Sequence, residues 1–117
     1  FSLGGWTYAP ARKMIERGVI VALSTDCNPG SSCTESTSII ISLAALQMKL
    51  TAAEAISAVT VNAAHAIDRS DKLGRLEPGF QADIVLWNME DYRELPYHYG
   101  VNLVSKVIKN GKVFVGK

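Results

Sequence analysis

Chemistry-bearing side chains are scarce in this sequence. Its 117 residues hold two histidines, at 65 and 98, and two cysteines, at 27 and 33. The cysteines form no CxxC, and neither histidine has a second at HxH or HExxH spacing, so no self-contained zinc motif is present. Two cysteines build no disulfide framework in a chain of this size, which points to a reducing, cytoplasmic setting. An excess of one charge is lacking too. Twelve Lys and Arg stand against eleven Asp and Glu, which leaves no electrostatic footprint for nucleic acid or an acidic membrane. Apolar runs such as Val19 to Leu23 fall far short of the ~20 residues that span a bilayer. No basic segment followed by an apolar one opens the chain, so secretion is not expected. Nor does a methionine. The chain begins at Phe1 in a Ser/Gly/aromatic stretch, residues 1–8, and reads as the C-terminal piece of a longer protein.

What is present is a globular chain. A hydrophobic share of 48% excludes intrinsic disorder. Pro10 at a helix start, the apolar Met14 and Ile15, and a stop at Gly18 predict a short helix. Val19 to Leu23, continuously apolar and mostly β-branched, predicts a strand buried on both faces, as in a parallel sheet or barrel. Asn28-Pro29-Gly30-Ser31-Ser32 is a turn cluster. Two capping boxes follow. Ser32 to Glu35 predicts the start of a helix carrying Ile39, Ile40, Leu43, Leu46 and Met48. Thr51 to Glu54 predicts a second, running through Ala55, Ile56, Val59, Ala63 and Ile67. Beyond residue 68 the pattern turns to strands, at Ala82 to Trp87 and Leu103 to Lys109. A type I′ turn at Asn110-Gly111 leads into Lys112 to Val115.

Asp26 is the first candidate for chemistry, because functional groups of parallel α/β folds sit at the carboxyl ends of strands. A carboxylate there suits metal binding or acid/base work. The competing reading is that it caps the turn. Asn28 to Ser32 is the second candidate: a turn leading to a helix N-terminus presents backbone N–H groups to an anion, although any capped helix has that anatomy. It is no Walker A loop, since no Gly-Lys-Ser/Thr follows. Cys27 is a soft ligand or a small buried residue. His65 reads as a packing or surface residue of an Ala-rich helix. His98 lies in an aromatic loop, Pro96 to Gly100, expected to bury itself against a partner surface. No Ser/His/Asp order suggests a triad.

At these residues the sequence resembles the C-terminal part of the imidazolonepropionase family, in the metal-dependent amidohydrolase superfamily. The matching stretches are Tyr8-Ala9-Pro10-Ala11-Arg12-Lys13-Met14-Ile15, Thr25-Asp26-Cys27-Asn28-Pro29-Gly30-Ser31-Ser32, Thr60-Val61-Asn62-Ala63-Ala64 and Pro96-Tyr97-His98-Tyr99-Gly100-Val101-Asn102. Gly74-Arg75-Leu76-Glu77-Pro78-Gly79 with Ala82-Asp83-Ile84-Val85 is a tail shared across the superfamily. The resemblance implies an α/β fold. Residues 1–68 would be the C-terminal part of an amidohydrolase (β/α)8 barrel, and 69–117 strands of a small β-sandwich. It implies hydrolysis of the ring C–N bond of 4-imidazolone-5-propanoate to N-formimidoyl-L-glutamate in histidine degradation, with one Zn or Fe ion per complete subunit. Asp26 would be the metal ligand and catalytic proton shuttle, and Asn28, Gly30 and Ser31 would contact substrate. The family's remaining metal ligands lie upstream and are absent from this chain, so the piece alone is expected to be inactive and largely metal-free. A homodimer of the complete protein, with no nucleic acid or membrane partner, is expected. Two alternatives stand beside this reading: another cyclic-amidine amidohydrolase or deaminase, and a non-catalytic truncated interaction module.

Overall fold

A computed structural model describes residues 1, 3–4 and 7–116; Ser2, Gly5 and Trp6 of the opening stretch lie outside the described residues. Four helices lead the chain: α1 (Ala11–Glu16), α2 (Thr37–Leu46), α3 (Ala52–Val59) and α4 (Val61–Ala66). Strand β1 (Ile84–Trp87), a one-turn helix α5 (Glu94–Tyr97) and strands β2 (Val104–Lys109) and β3 (Lys112–Gly116) complete it. The strands form an antiparallel sheet in the order β1-β2-β3.

Local signals placed several of these elements. Pro10 stands one position before the helix as the N-cap of α1. At the other end Gly18 N donates to Ile15 O (2.9 Å) and Val19 N to Met14 O (2.9 Å), the paired bonds of a Schellman closure. Thr51 and Glu54 form the expected reciprocal capping box of α3. Asn110 and Gly111 both have positive φ, 50° and 74°, as a type I′ turn requires. Asp83 binds that hairpin. Its carboxylate accepts from Asn110 N (2.9 Å), Gln81 Nε2 (2.7 Å) and Lys109 Nζ, and these donors, Lys109 foremost, hold its pKa below the ordinary value. Gly111 N donates to Ala82 O at 2.9 Å. The Ala-Asp pair of the shared tail is thus a hairpin staple.

Four expectations are corrected. The capping box at Ser32 to Glu35 does not open a helix. The Ser32 hydroxyl donates to Thr25 O (2.7 Å) instead, and α2 begins at Thr37, with Ser36 capping Ile39 N. The helix predicted from Thr51 to Ile67 is broken at Thr60, whose φ of −118° and ψ of −89° lie outside the helical region. Cys27 is exposed rather than buried. Val19 to Leu23 joins no ladder, and Val19 and Ile20 are 46% and 76% exposed. A strand is buried on both faces only when neighbours flank it, and no described segment does so here.

Residues 19–25 nonetheless keep the two-residue hydrogen-bonding period of a strand. Val19 N bonds Met14 O, Val21 O accepts from Asn62 Nδ2 (2.8 Å), Leu23 N donates to Ala58 O (3.0 Å), and Thr25 O accepts from Ser32. These odd-numbered groups form one edge, fastened chiefly to α3 and α4. On the other edge, the backbone groups of Ile20, Ala22 and Ser24 bond no described residue.

The core is thin and built of small residues. Ala11, Ala44, Ala55 and Ala58 meet Val21, Ile41, Leu50 and Leu95, with Trp87 and Met89 packed alongside. Ser42, 1% exposed, satisfies its hydroxyl on Ser38 O. The chain exposes 8319 Å², against roughly 6,200 Å² for a compact monomer of this mass. Much of the excess is apolar: Val85, Leu86, Val113 and Phe114 of the sheet, and Tyr97 and Tyr99 of the aromatic loop.

Candidate functional site

Asp26 ends the segment that α3 and α4 hold in place, and its backbone turns sharply there. Its φ of +48° is left-handed, a conformation that Asp tolerates better than most residues and that concentrates at functional positions. Asn28 supports it by donating from Nδ2 to Asp26 O at 2.7 Å. The same side chain caps the turn. Asn28 Oδ1 accepts from Gly30 N and Ser31 N, both at 2.8 Å, while Asn28 N donates to Ser32 O at 2.9 Å. Asn28 and Ser32 pair as a single antiparallel bridge.

This arrangement leaves the Asp26 carboxylate without a turn-capping role. The turn is capped by Asn28, so no backbone N–H of the described residues claims the Asp26 carboxylate. Among the described residues, its one side-chain hydrogen-bond donor is Asn28 Nδ2, at a long 3.5 Å. The carboxylate is exposed and lines a cleft of about 540 Å³, within the size range of small-molecule sites. Ser31 and Ser32 contribute polar groups to the lining, and Ile39, Ile40 and Leu43 of α2 an apolar wall.

Of the residues singled out from sequence, Asp26 and Ser31 therefore share the cleft. Asn28 and Gly30 form the turn beside it. The expected free N–H groups at a helix start are not there: the Gly30 and Ser31 amides are spent on Asn28, and the helix opens only at Thr37. His65 is exposed on α4. His98 lies 3.8 Å from Glu94 Oε2 and meets the Tyr97 ring edge-on. Among the described residues, no three His, Cys, Asp or Glu side chains gather closely enough to hold a metal ion. The donor set nevertheless suits one ligand position, since an exposed carboxylate without backbone donors keeps its oxygens available.

Two positioning contacts carried no sequence signal specific enough to find them. Asn62, inside the quoted run Thr60 to Ala64, reaches across to Val21 O. Arg12, inside the run Tyr8 to Ile15, makes a bidentate pair with Glu54: Nη1 to Oε2 at 2.9 Å and Nη2 to Oε1 at 2.8 Å. That pair clamps α1 to the start of α3. Together with the Thr51 backbone N–H, Arg12 holds the Glu54 carboxyl well below its ordinary value, at about 2.

Comparison with known proteins places this geometry in a family. The profile of the amidohydrolase family matches residues 5–114. The imidazolonepropionase of Bacillus velezensis is 55% identical over all 117 residues, and that of Alkaliphilus oremlandii 50%. The chain spans 28% of the length of each. Among solved structures, the zinc complex of an atrazine chlorohydrolase from Arthrobacter aurescens superposes with a TM-score of 0.82 at 28% identity, over 96% of this chain and 28% of that one. An adenosine deaminase from Xanthomonas campestris with bound zinc gives 0.81 at 25%, over 93% and 28%. With a family profile covering nearly its whole length and an α/β fold shared with these zinc-bound enzymes, the chain belongs to the amidohydrolase family.

Proposed function

We propose that the complete protein hydrolyses the ring C–N bond of 4-imidazolone-5-propanoate, giving N-formimidoyl-L-glutamate in histidine degradation, and that this chain supplies the Asp26 side of its site. The observation that carries the reading is the 55% identity to an imidazolonepropionase along the full chain. Residues 1–68 would be the closing part of a (β/α)8 barrel. The free edge at Ile20, Ala22 and Ser24 supports this, because a neighbouring barrel strand would satisfy it. Residues 69–117 would belong to a β-sandwich, a reading supported by the exposed apolar side chains of the sheet, which a second sheet would cover.

Asp26 would hold the metal as one ligand of a site that normally needs about three from the protein, the others coming from outside this chain. Bound there, Zn or Fe would supply Lewis-acid polarisation and make water more acidic. The remaining steps belong to the chain's own groups. The Asp26 carboxylate takes the proton of the attacking water and returns it to the leaving ring nitrogen. The Ser31 hydroxyl, the one substrate candidate that lines the cleft, donates to the propanoate or the polar ring edge. Asn28 and Gly30 keep the turn closed so that Ser31 and Asp26 stay in register.

The test is turnover by the complete protein on 4-imidazolone-5-propanoate, with formimidoylglutamate as the product read. The Asp26→Asn variant should lose at least ~10³-fold in kcat and most of its bound metal, as expected when both a ligand and a proton shuttle are removed. Wild-type metal content and rate in that variant would refute the role. A second reading is a deaminase or another cyclic-amidine hydrolase, favoured by the zinc-bound deaminase and triazine-enzyme neighbours. Turnover of aminated heterocycles, with none of the imidazolone, would establish it instead.

A further inference from the structure

The turn after Asp26 carries both cysteines of the chain. Its Asn28 N to Ser32 O bond closes a three-residue loop, and Cys27 and Cys33 stand one position outward on either side of that pair. In antiparallel pairing the positions flanking a hydrogen-bonded pair form a non-hydrogen-bonded pair, with Cα atoms about 4.5 Å apart and side chains on one face. That spacing lies within the range of about 4.4–6.8 Å that a disulfide bridges. Both thiols are free and exposed, and both line one shallow depression beside Pro29. Cys33 Sγ lies 3.5 Å from Asn28 O, on the residue joined to Cys27. Closing so short a loop costs little further chain entropy, and the Ser32 to Thr25 bond already fixes its base.

We propose that Cys27 and Cys33 are a modification site, forming a reversible disulfide across this turn by exchange with a low-molecular-weight disulfide such as glutathione disulfide. The Cys33 thiolate attacks one sulfur of the oxidant, expels one glutathione thiolate and forms a mixed disulfide. The Cys27 thiolate then attacks the Cys33 sulfur, forming the intramolecular bond and releasing the second glutathione. The two protein sulfurs lose two electrons, the oxidant gains them, and the two thiol protons end on the two glutathione thiols. In a reducing compartment such a bond is transient and serves sensing rather than structure. The inference stands on the turn alone and does not depend on the reaction proposed above.

The experiment treats the complete, folded protein with glutathione disulfide, alkylates the remaining thiols and digests with trypsin. No Lys or Arg separates Arg17 from Lys49, so one peptide, residues 18–49, reports both cysteines. The expected product is that peptide lighter by two hydrogens, with neither alkyl group nor glutathione, and restored by dithiothreitol. Cys27→Ser should trap Cys33 as its glutathione mixed disulfide, and Cys33→Ser should trap Cys27. Formation should slow when the protein is unfolded in urea. Two glutathiones on the wild-type peptide, two alkyl groups, or an equal rate in urea would each overturn the proposal.

Discussion

The clamp between Arg12 and Glu54 offers a quantitative test, because one carboxylate serves both an ion pair and a helix cap. Glu54 accepts from Arg12 through both oxygens and, through Oε2, from Thr51 N at 2.8 Å. Its pKa falls from an ordinary 4.5 to about 2. At roughly 1.4 kcal/mol per pH unit that is about 3 kcal/mol at face value. The two side chains are 32% and 30% exposed and the Thr51 N–H supplies part of the shift, so the pair itself comes down to about 1 kcal/mol. Glu54→Gln removes the charge and keeps a cap acceptor at the third helical position. It should cost the pair alone, while Glu54→Ala should lose about 1 kcal/mol more with the cap.

The assay is amide hydrogen exchange of α3 in the complete protein, where about 1 kcal/mol reads as about 5-fold faster exchange. A cycle with Arg12→Met should return most of the Glu54→Gln effect as coupling. The pH dependence has a definite sign. A carboxylate whose folded pKa is depressed stabilises fully above its unfolded value, so the advantage over Glu54→Gln should hold at pH 7. It should decline as pH falls from about 4.5 toward about 2. Less than a twofold change in exchange, or a coupling near zero, would refute the clamp.

Three further outcomes are expected. Gly74, at φ +89°, would place a Cβ 2.9 Å from Thr60 O, whereas Gly79, at φ +92°, faces open space. Gly74→Ala should therefore cost about 3 kcal/mol and Gly79→Ala about 1, with the difference in melting temperature reporting the clash at the α3–α4 break; equal losses would remove that explanation. Asn62→Ala should cost about 1 kcal/mol by deleting the donor to Val21 O. It should raise hydrogen exchange in residues 19–25 more than in β1–β3, and a uniform rise would show a general loss of stability instead. Calorimetric titration of the isolated chain with zinc should show no tight, stoichiometric binding, because a single carboxylate does not make a catalytic site; a sharp one-to-one transition would refute this.

The parts of the fold that could be read from sequence are those whose partners lie within a few residues. The Thr51 box and the Gly18 closure each bond inside a four- to six-residue window, and the Asn110-Gly111 turn joins strands paired at Lys109 and Lys112. The Ser32 to Glu35 box has an equally good pattern and fails: Ser32 pairs with Asn28 across the turn and its hydroxyl donates to Thr25 O seven residues away. Asn28 shows the same limit at the site. Its place in a turn was readable, but its occupied Oδ1 and Nδ2, and the place of Ser31 rather than Asn28 or Gly30 in the cleft lining, emerged only with the folded loop.

By itself, the sequence determined the chemistry available, with a carboxylate directly after an apolar run and an Asn-Pro-Gly-Ser-Ser turn behind it, and the likeness to amidohydrolases. Tertiary structure alone decided which groups are spent and which remain free. It fastened one edge of residues 19–25 to α3 and α4 through Ala58 and Asn62 and set Arg12 against Glu54. Local propensity acts through neighbours on the chain, whereas hydrogen-bond saturation and burial depend on what arrives from 40 residues away.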